Sequence, residues 1–168
     1  MCRLLMILCG VLSSVLSVGA VDTLRVTTPQ LLGSGWTLYA GVPRLYASAE
    51  HFSAIENDMW FGTYEGGVVR FDGRSWVQYS GLDGIIDGAV STILRARDGS
   101  LWVAGQHQGK SGAARFDGKA WRIFTEADGL VGDAIHSGFA DDRGDLWFST
   151  WDSDPWEKYQ SSGLMRFD

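Results

Sequence analysis

Three short stretches of this chain carry side chains suited to holding a polar ligand. Tyr64 and Glu65 stand in the first, and Gln106, His107, Gln108 and Lys110 in the second. The third holds Trp151, Asp152, Asp154, Trp156, Glu157, Lys158 and Tyr159. Aromatic rings beside carboxylates, amides and an ammonium group are the equipment of a sugar-binding surface. Rings stack on C–H faces, and the polar groups fix hydroxyls by hydrogen bonds. Catalytic chemistry has weaker support. No nucleophile elbow or glycine-rich phosphate loop is present. An enzymatic reading rests on Glu65, His107 and Asp152 converging. Metal chemistry is weaker still, because His51, His107 and His136 lack ligand spacing. Asp152-Ser153-Asp154 lacks the glycine and distal glutamate of a calcium loop. No catalytic residue, metal site or cofactor is expected.

What positions these stretches is an internal repeat. Trp60, Trp102 and Trp147 are 42 and 45 residues apart, and Trp76 and Trp121 are again 45 apart. Ala47 to Trp60, Ala89 to Trp102 and Ala134 to Trp147 align without a gap. Each aligned segment reads as an inner strand, a tight turn and a strand holding the tryptophan. The turns are Glu56-Asn57-Asp58, Asp98-Gly99-Ser100 and Arg143-Gly144-Asp145, rich in residues that accept hairpin geometry. A third strand then ends in Arg-Phe-Asp, at Arg70, Arg115 and Arg166. A glycine turn leads to an outer Trp-x-x-aromatic strand, Trp76 to Tyr79 and Trp121 to Phe124. A period in the forties built from short strands predicts an all-β chain of β-propeller blades, each a four-stranded antiparallel meander. Leu101-Trp102-Val103-Ala104 does not alternate polar and apolar, as expected where both faces of a sheet are covered.

The expected organisation has about three units: 47–79, 89–124 and an incomplete 134–168. They follow an outer strand at 36–39 and a leader at 21–35. The outer strand Trp36 to Tyr39 is read as the last strand of a blade whose other strands do not lie upstream. Propellers close with about four to eight blades, so three point to a fragment of a larger ring. An assembly of blades from several chains is the alternative. Residues 1–20 read as a signal peptide: Arg3, an apolar run from Leu4 to Leu16, and Val18-Gly19-Ala20 before a cut after Ala20. Export to the periplasm or beyond follows, with an uncleaved anchor as the alternative. Cys2 and Cys9 both fall in that segment, leaving the remainder without disulfides. Lys plus Arg number 14 and Asp plus Glu 20, a net charge of −6. That balance disfavours nucleic acid and anionic membrane surfaces as partners. No later stretch is long and apolar enough for a membrane-spanning helix.

The pattern Asp-Gly-x-Leu-Trp, then Arg-Phe-Asp-Gly-x-x-Trp-x-x-aromatic, resembles the two-component regulator propeller repeat over residues 36 to 168. The resemblance implies an exported sensor propeller, usually of about seven blades, often responsive to carbohydrate and often followed by a membrane helix and a histidine-kinase module. The third unit departs from the pattern, with Ser149-Thr150 and a long insertion. The alternatives are a propeller hydrolase or lyase acting on polysaccharide, or a purely structural interaction domain.

Repeated residues are expected to serve the scaffold. Trp60, Trp102, Trp147, Trp76 and Trp121 should pack within and between blades, and Arg70, Arg115 and Arg166 should pair with acidic neighbours across blades. Asp72, Asp117 and Asp168 should form turns. Function should lie where the copies differ. The run from tryptophan to Arg-Phe-Asp is ten residues in unit one, 13 in unit two and 19 in unit three. The extra residues exit on the edge that also carries the inter-blade loops, and long connections on a rigid scaffold favour binding. The candidate ligand-binding set is therefore Tyr64, Glu65, Gln106, His107, Lys110, Trp151, Asp152, Asp154, Trp156 and Tyr159.

Overall fold

The computed structural model describes residues 30–33, 36–38, 52–55, 57–64, 67–152 and 163–168. Calls on the signal peptide and on Glu65, Asp154, Trp156 and Tyr159 lie outside them. Thirteen strands are present among the described residues. A hairpin of β1 (Gln30–Gly33) and β2 (Trp36–Leu38) comes first. The first full sheet is β3 (Phe52–Ile55), β4 (Asp58–Gly62), β5 (Val68–Phe71) and β6 (Trp76–Tyr79). The second is β7 (Val90–Arg95), β8 (Leu101–His107), β9 (Lys110–Phe116) and β10 (Trp121–Phe124). The third holds β11 (Ala134–Ala140), β12 (Leu146–Trp151) and β13 (Leu164–Phe167). Each sheet runs in chain order with antiparallel neighbours, the meander that the repeat demanded. The fold is all-β and blade-like. No helix among the described residues is long and apolar enough to cross a membrane.

The turns follow from local chemistry. Gly99 and Gly144 occupy equivalent positions with φ of 86° and 97°, a region closed to most side chains. Register then places Trp60 opposite Arg70 and Arg70 opposite Val77. Trp102 likewise faces Arg115, and Trp147 faces Arg166. The tryptophan and the arginine of each unit thus share one face.

Two expectations change. A strand does lie upstream of Trp36: β1 pairs antiparallel with β2, so the short strand finds backbone partners locally. In unit two the inserted residues do not form an open loop. They lengthen β8 and β9, which add the pairs Gln106↔Ser111 and His107↔Lys110. Gln108 and Gly109, with φ of 52° and 75°, close that hairpin in the two-residue form that matches strand twist.

The core lies between sheets. Trp60, 4 % exposed, stacks on Tyr79 at 5.7 Å and meets Phe116 and Trp121 of the second sheet at 6.2 and 6.4 Å. One unit later the arrangement recurs. Trp102 stacks on Phe124 at 5.0 Å and meets Phe167 and Phe148 of the third sheet at 4.7 and 6.3 Å. Leu101 to Ala104 are all buried, as the non-alternating run predicted. Ile85 and Ile86, in the loop between the first two sheets, plug that interface completely. Burial of each large side chain contributes about 1.5–3 kcal/mol, so these two seams carry most of the tertiary stabilisation.

Candidate functional site

The loop-bearing edge is built by the β8–β9 hairpin, by residues 80–89 and 125–133 between sheets, and by the ends of β4 and β12. Each inter-sheet loop starts with a capped single turn. The Ser80 N–H donates to Asp83 Oδ2 at 2.8 Å, and the Thr125 N–H to Asp128 Oδ2 at 2.9 Å. The first loop then joins the second sheet by backbone bonds: Gly88 N–H to the Gln106 carbonyl at 3.0 Å, and Gln106 N–H to the Ala89 carbonyl at 2.9 Å.

Onto this frame fall the candidate side chains of unit two. His107 Nδ1 lies 2.8 Å from Asp87 Oδ1, which also accepts the Gln108 N–H at 2.9 Å. Lys110 Nζ donates to Asp133 Oδ1 at 2.8 Å, and the Gln106 side-chain amide reaches the Asp133 carbonyl at 3.5 Å. Ser111, fully buried, holds the Val131 carbonyl at 2.7 Å. His107 and Lys110 therefore fasten the hairpin to the two inter-sheet loops. The Lys110 ammonium is held above its ordinary range, first by its bond to Asp133 and then by the charges of Asp133, Glu126 and Asp152.

Trp151 differs from them. It ends β12 with its backbone tied, the carbonyl accepting the Asp133 N–H at 2.9 Å, while its side chain is 53 % exposed. Lys110, Asp133 and Asp152 surround that end of the strand closely enough to interact electrostatically. The exposed indole thus belongs to a residue whose backbone is bonded to Asp133, the acceptor of the Lys110 ammonium, and which Asp152 follows in the chain. Tyr64, 69 % exposed, occupies the equivalent position in unit one, with Gln106 between them in the series. The structure brings Gln106, Lys110, Trp151 and Asp152 to one edge around Asp133. Sequence reasoning overlooked Asp87 and Asp133; their place at the ends of the inter-blade loops was the available signal. Among the described residues, no group of three or more His, Cys, Asp or Glu side chains is arranged to hold a metal ion.

The opposite edge carries the repeated ion pairs, and here a correction is needed. Arg70 Nε pairs with Asp58 at 2.7 Å and Arg115 Nη2 with Asp98 at 2.5 Å, and Arg166 faces Asp145 at 3.7 Å. Every partner belongs to the same sheet as its arginine, because the antiparallel register returns β5, β9 and β13 beside the turns that open β4, β8 and β12. The guanidinium lies over the tryptophan face at 5.8 Å for Arg70 and 6.0 Å for Arg166. Asp72 and Asp117 are turn-formers as expected. Asp72 Oδ1 accepts the Ser75 and Arg74 N–H groups at 2.7 and 2.8 Å, and Asp117 does the same for Ala120 and Lys119 at 2.9 and 2.8 Å. These backbone bonds hold both carboxyls below the usual range.

Two clefts open on this short-turn edge, one between each pair of adjacent sheets, of about 490 and 470 Å³. The first is floored by Trp60 and Phe116 and walled by Arg70, Arg95, Arg115 and Asp98. Trp60, Arg70 and Arg115 among them were assigned to the scaffold because they recur, whereas Arg95 has Ser53 and Ala140 at its equivalent positions. The ion pairs within it support that assignment.

No protein-family model matches the sequence, and no curated protein matches it at a significant level.

Proposed function

We propose that this chain is a non-catalytic, exported recognition module that binds a carbohydrate at its loop-bearing edge. The observation that carries the reading is the half-exposed indole of Trp151, whose backbone is anchored to Asp133, the residue that also holds the Lys110 ammonium. An indole face in that position offers a stacking surface for the C–H face of a sugar ring. The neighbouring charged groups offer donors and acceptors to its hydroxyls. Exposed aromatic side chains on a rigid scaffold are a common mark of recognition surfaces. The repeat resemblance and the N-terminal segment read as a signal peptide support an exported sensor, with a kinase module elsewhere in a longer polypeptide as part of the same proposal. The enzymatic alternative draws its residues from this same edge, so one experiment addresses both.

A glycan array followed by calorimetry on the wild-type chain, Trp151→Ala, Tyr64→Ala and Arg95→Ala tests the reading. A hit that weakens by about 1–3 kcal/mol in Trp151→Ala, the scale of aromatic stacking on a planar ligand, supports it. Binding that survives Trp151→Ala but is lost in Arg95→Ala moves the site to the short-turn cleft. Release of reducing ends from a bound polysaccharide replaces recognition by catalysis.

A further inference from the structure

The two short-turn clefts differ where the repeat breaks, and the differences make the second, between the second and third sheets, the more cationic. In units one and three the arginine of the third strand has an aspartate at the turn before the tryptophan. Arg70 Nε is held by Asp58 Oδ2 at 2.7 Å, and Arg166 faces Asp145 at 3.7 Å. Ser100 stands at that position in unit two. Its hydroxyl donates to Asp98 Oδ1 at 2.6 Å and accepts the Trp102 indole N–H at 3.2 Å. Arg115 instead reaches Asp98 Oδ2 through Nη2, and its buried Nε has no hydrogen-bond partner among the described residues.

Two further arginines line this cleft, one from each wall. Arg97 has Ile55 and Asp142 at its equivalent positions, and Arg143 has Glu56 and Asp98. The first cleft therefore carries Asp98 where the second carries Arg143, while Ala140 stands in place of Arg95. Arg97 crosses the seam. Its Nη1 donates to the Arg143 carbonyl at 3.1 Å, and its stem lies over Gly144, where an added Cβ would sit 2.9 Å from Arg97 Cδ. That bond uses a single N–H of a guanidinium that carries several. The carboxylates of the cleft are already engaged, Asp98 by Arg115 and Ser100, Asp145 and Asp168 by Arg166. Among the described residues, no carboxylate lies within ion-pair distance of Arg97 or Arg143.

We propose that this second cleft binds a small ligand bearing a carboxylate or a phosphate, its oxyanion held between Arg97 and Arg143. A planar guanidinium pairs with either group through two parallel N–H bonds, which suits arginine better than lysine. The Arg143 carbonyl fixes Arg97 before the ligand arrives and so lowers the ordering cost of binding. Trp102 and Phe167, 4.7 Å apart, supply an aromatic floor beneath the two arginines. The site lies on the short-turn edge, away from Trp151, and does not depend on the carbohydrate reading.

Nuclear magnetic resonance of the full chain provides the test, with inorganic phosphate or acetate replacing chloride at constant ionic strength so that general screening cancels. The expected result is a saturable shift of the Arg143 and Gly144 amides, and whichever anion saturates first identifies the ligand as phosphate- or carboxylate-bearing. Arg97→Ala and Arg143→Asp should each weaken binding about tenfold, the scale of one hydrogen bond to a charged group. Arg143→Asp installs the residue that unit two carries at the same turn, and both side chains are exposed, so each variant should keep the circular dichroism of the wild type. Arg143→Gln serves if Arg143→Asp misfolds. Arg95→Ala, in the first cleft, should leave the affinity unchanged. The absence of a saturable shift with either anion overturns the proposal. So does affinity lost in Arg95→Ala but kept in Arg143→Asp, and so do shifts confined to the loop-bearing edge.

Discussion

Trp102→Ala should separate the third sheet from the second. Trp102 is 2 % exposed and contacts Phe124 at 5.0 Å within its own sheet and Phe167 at 4.7 Å across the seam. Truncating a buried tryptophan to alanine costs about 3–5 kcal/mol. Each lost aromatic pair adds about 0.5–1.5 kcal/mol beyond burial, which places this site near the top of that range. The indole N–H donates to Ser100 Oγ at 3.2 Å, but Ser100 keeps Asp98 at 2.6 Å, so no polar group is orphaned. A domain is stable by only about 5–15 kcal/mol, so the loss is a large share of the whole. In an array of repeats it falls on one junction and uncouples what lies beyond it. Trp147→Ala is the control. Trp147 is half-buried and, among the described residues, has one ring neighbour besides its indole bond to Asp141 at 3.0 Å, so its loss should cost less than that of Trp102. Urea titration followed by far-ultraviolet circular dichroism gives both values, and hydrogen exchange of the β12 amides locates the opening. Equal costs for the two variants, or a cost below about 1 kcal/mol at Trp102, would refute the account of the seams.

Gly105→Ala should destabilise by about 1–3 kcal/mol in a thermal melt, because its Cβ would lie 2.0 Å from the Ala89 carbonyl oxygen; Gly163→Ala, with open space around it, should be near neutral. Asp72, Asp117 and Asp141 have depressed folded-state pKa values. The first two owe them to backbone N–H bonds and Asp141 first to the Trp147 indole N–H, whereas Asp98 owes its own first to the Ser100 hydroxyl. Their contribution is complete above the unfolded carboxyl pKa of about 3.9 and is lost as pH falls through the lower folded values, so the midpoint of acid unfolding should move toward neutral pH in Asp141→Asn. Lys110→Met should raise hydrogen exchange in residues 130–133 with little change in global stability, since the Lys110 ammonium is exposed to water although Asp133 is largely covered.

The blades were legible in the chain because each is a local object. Tryptophans 42 and 45 residues apart, Gly99 and Gly144 at the turns, and the unbroken apolar run from Leu101 to Ala104 all report on contacts within one unit or on burial of both its faces. Strand order follows from hairpin connectivity, which requires no knowledge of distant residues. The candidate edge was legible for the same reason, since insertions between the second and third strands must emerge there. What the side chains at that edge do was settled only in three dimensions. His107 and Lys110 look like ligand-binding groups in the sequence, yet Asp87 and Asp133, 20 and 23 residues away, engage both. Trp151 stays open to solvent although the backbone around it is tied. The partners of the repeated arginines depended on register, which a one-residue shift would have moved to the opposite face. Leu94 and Phe139 mark the limit most clearly. They share one place in the repeat and one apolar character, and one is buried while the other is exposed. Burial of a sheet face depends on a neighbouring sheet packing against it, and no residue carries that information alone.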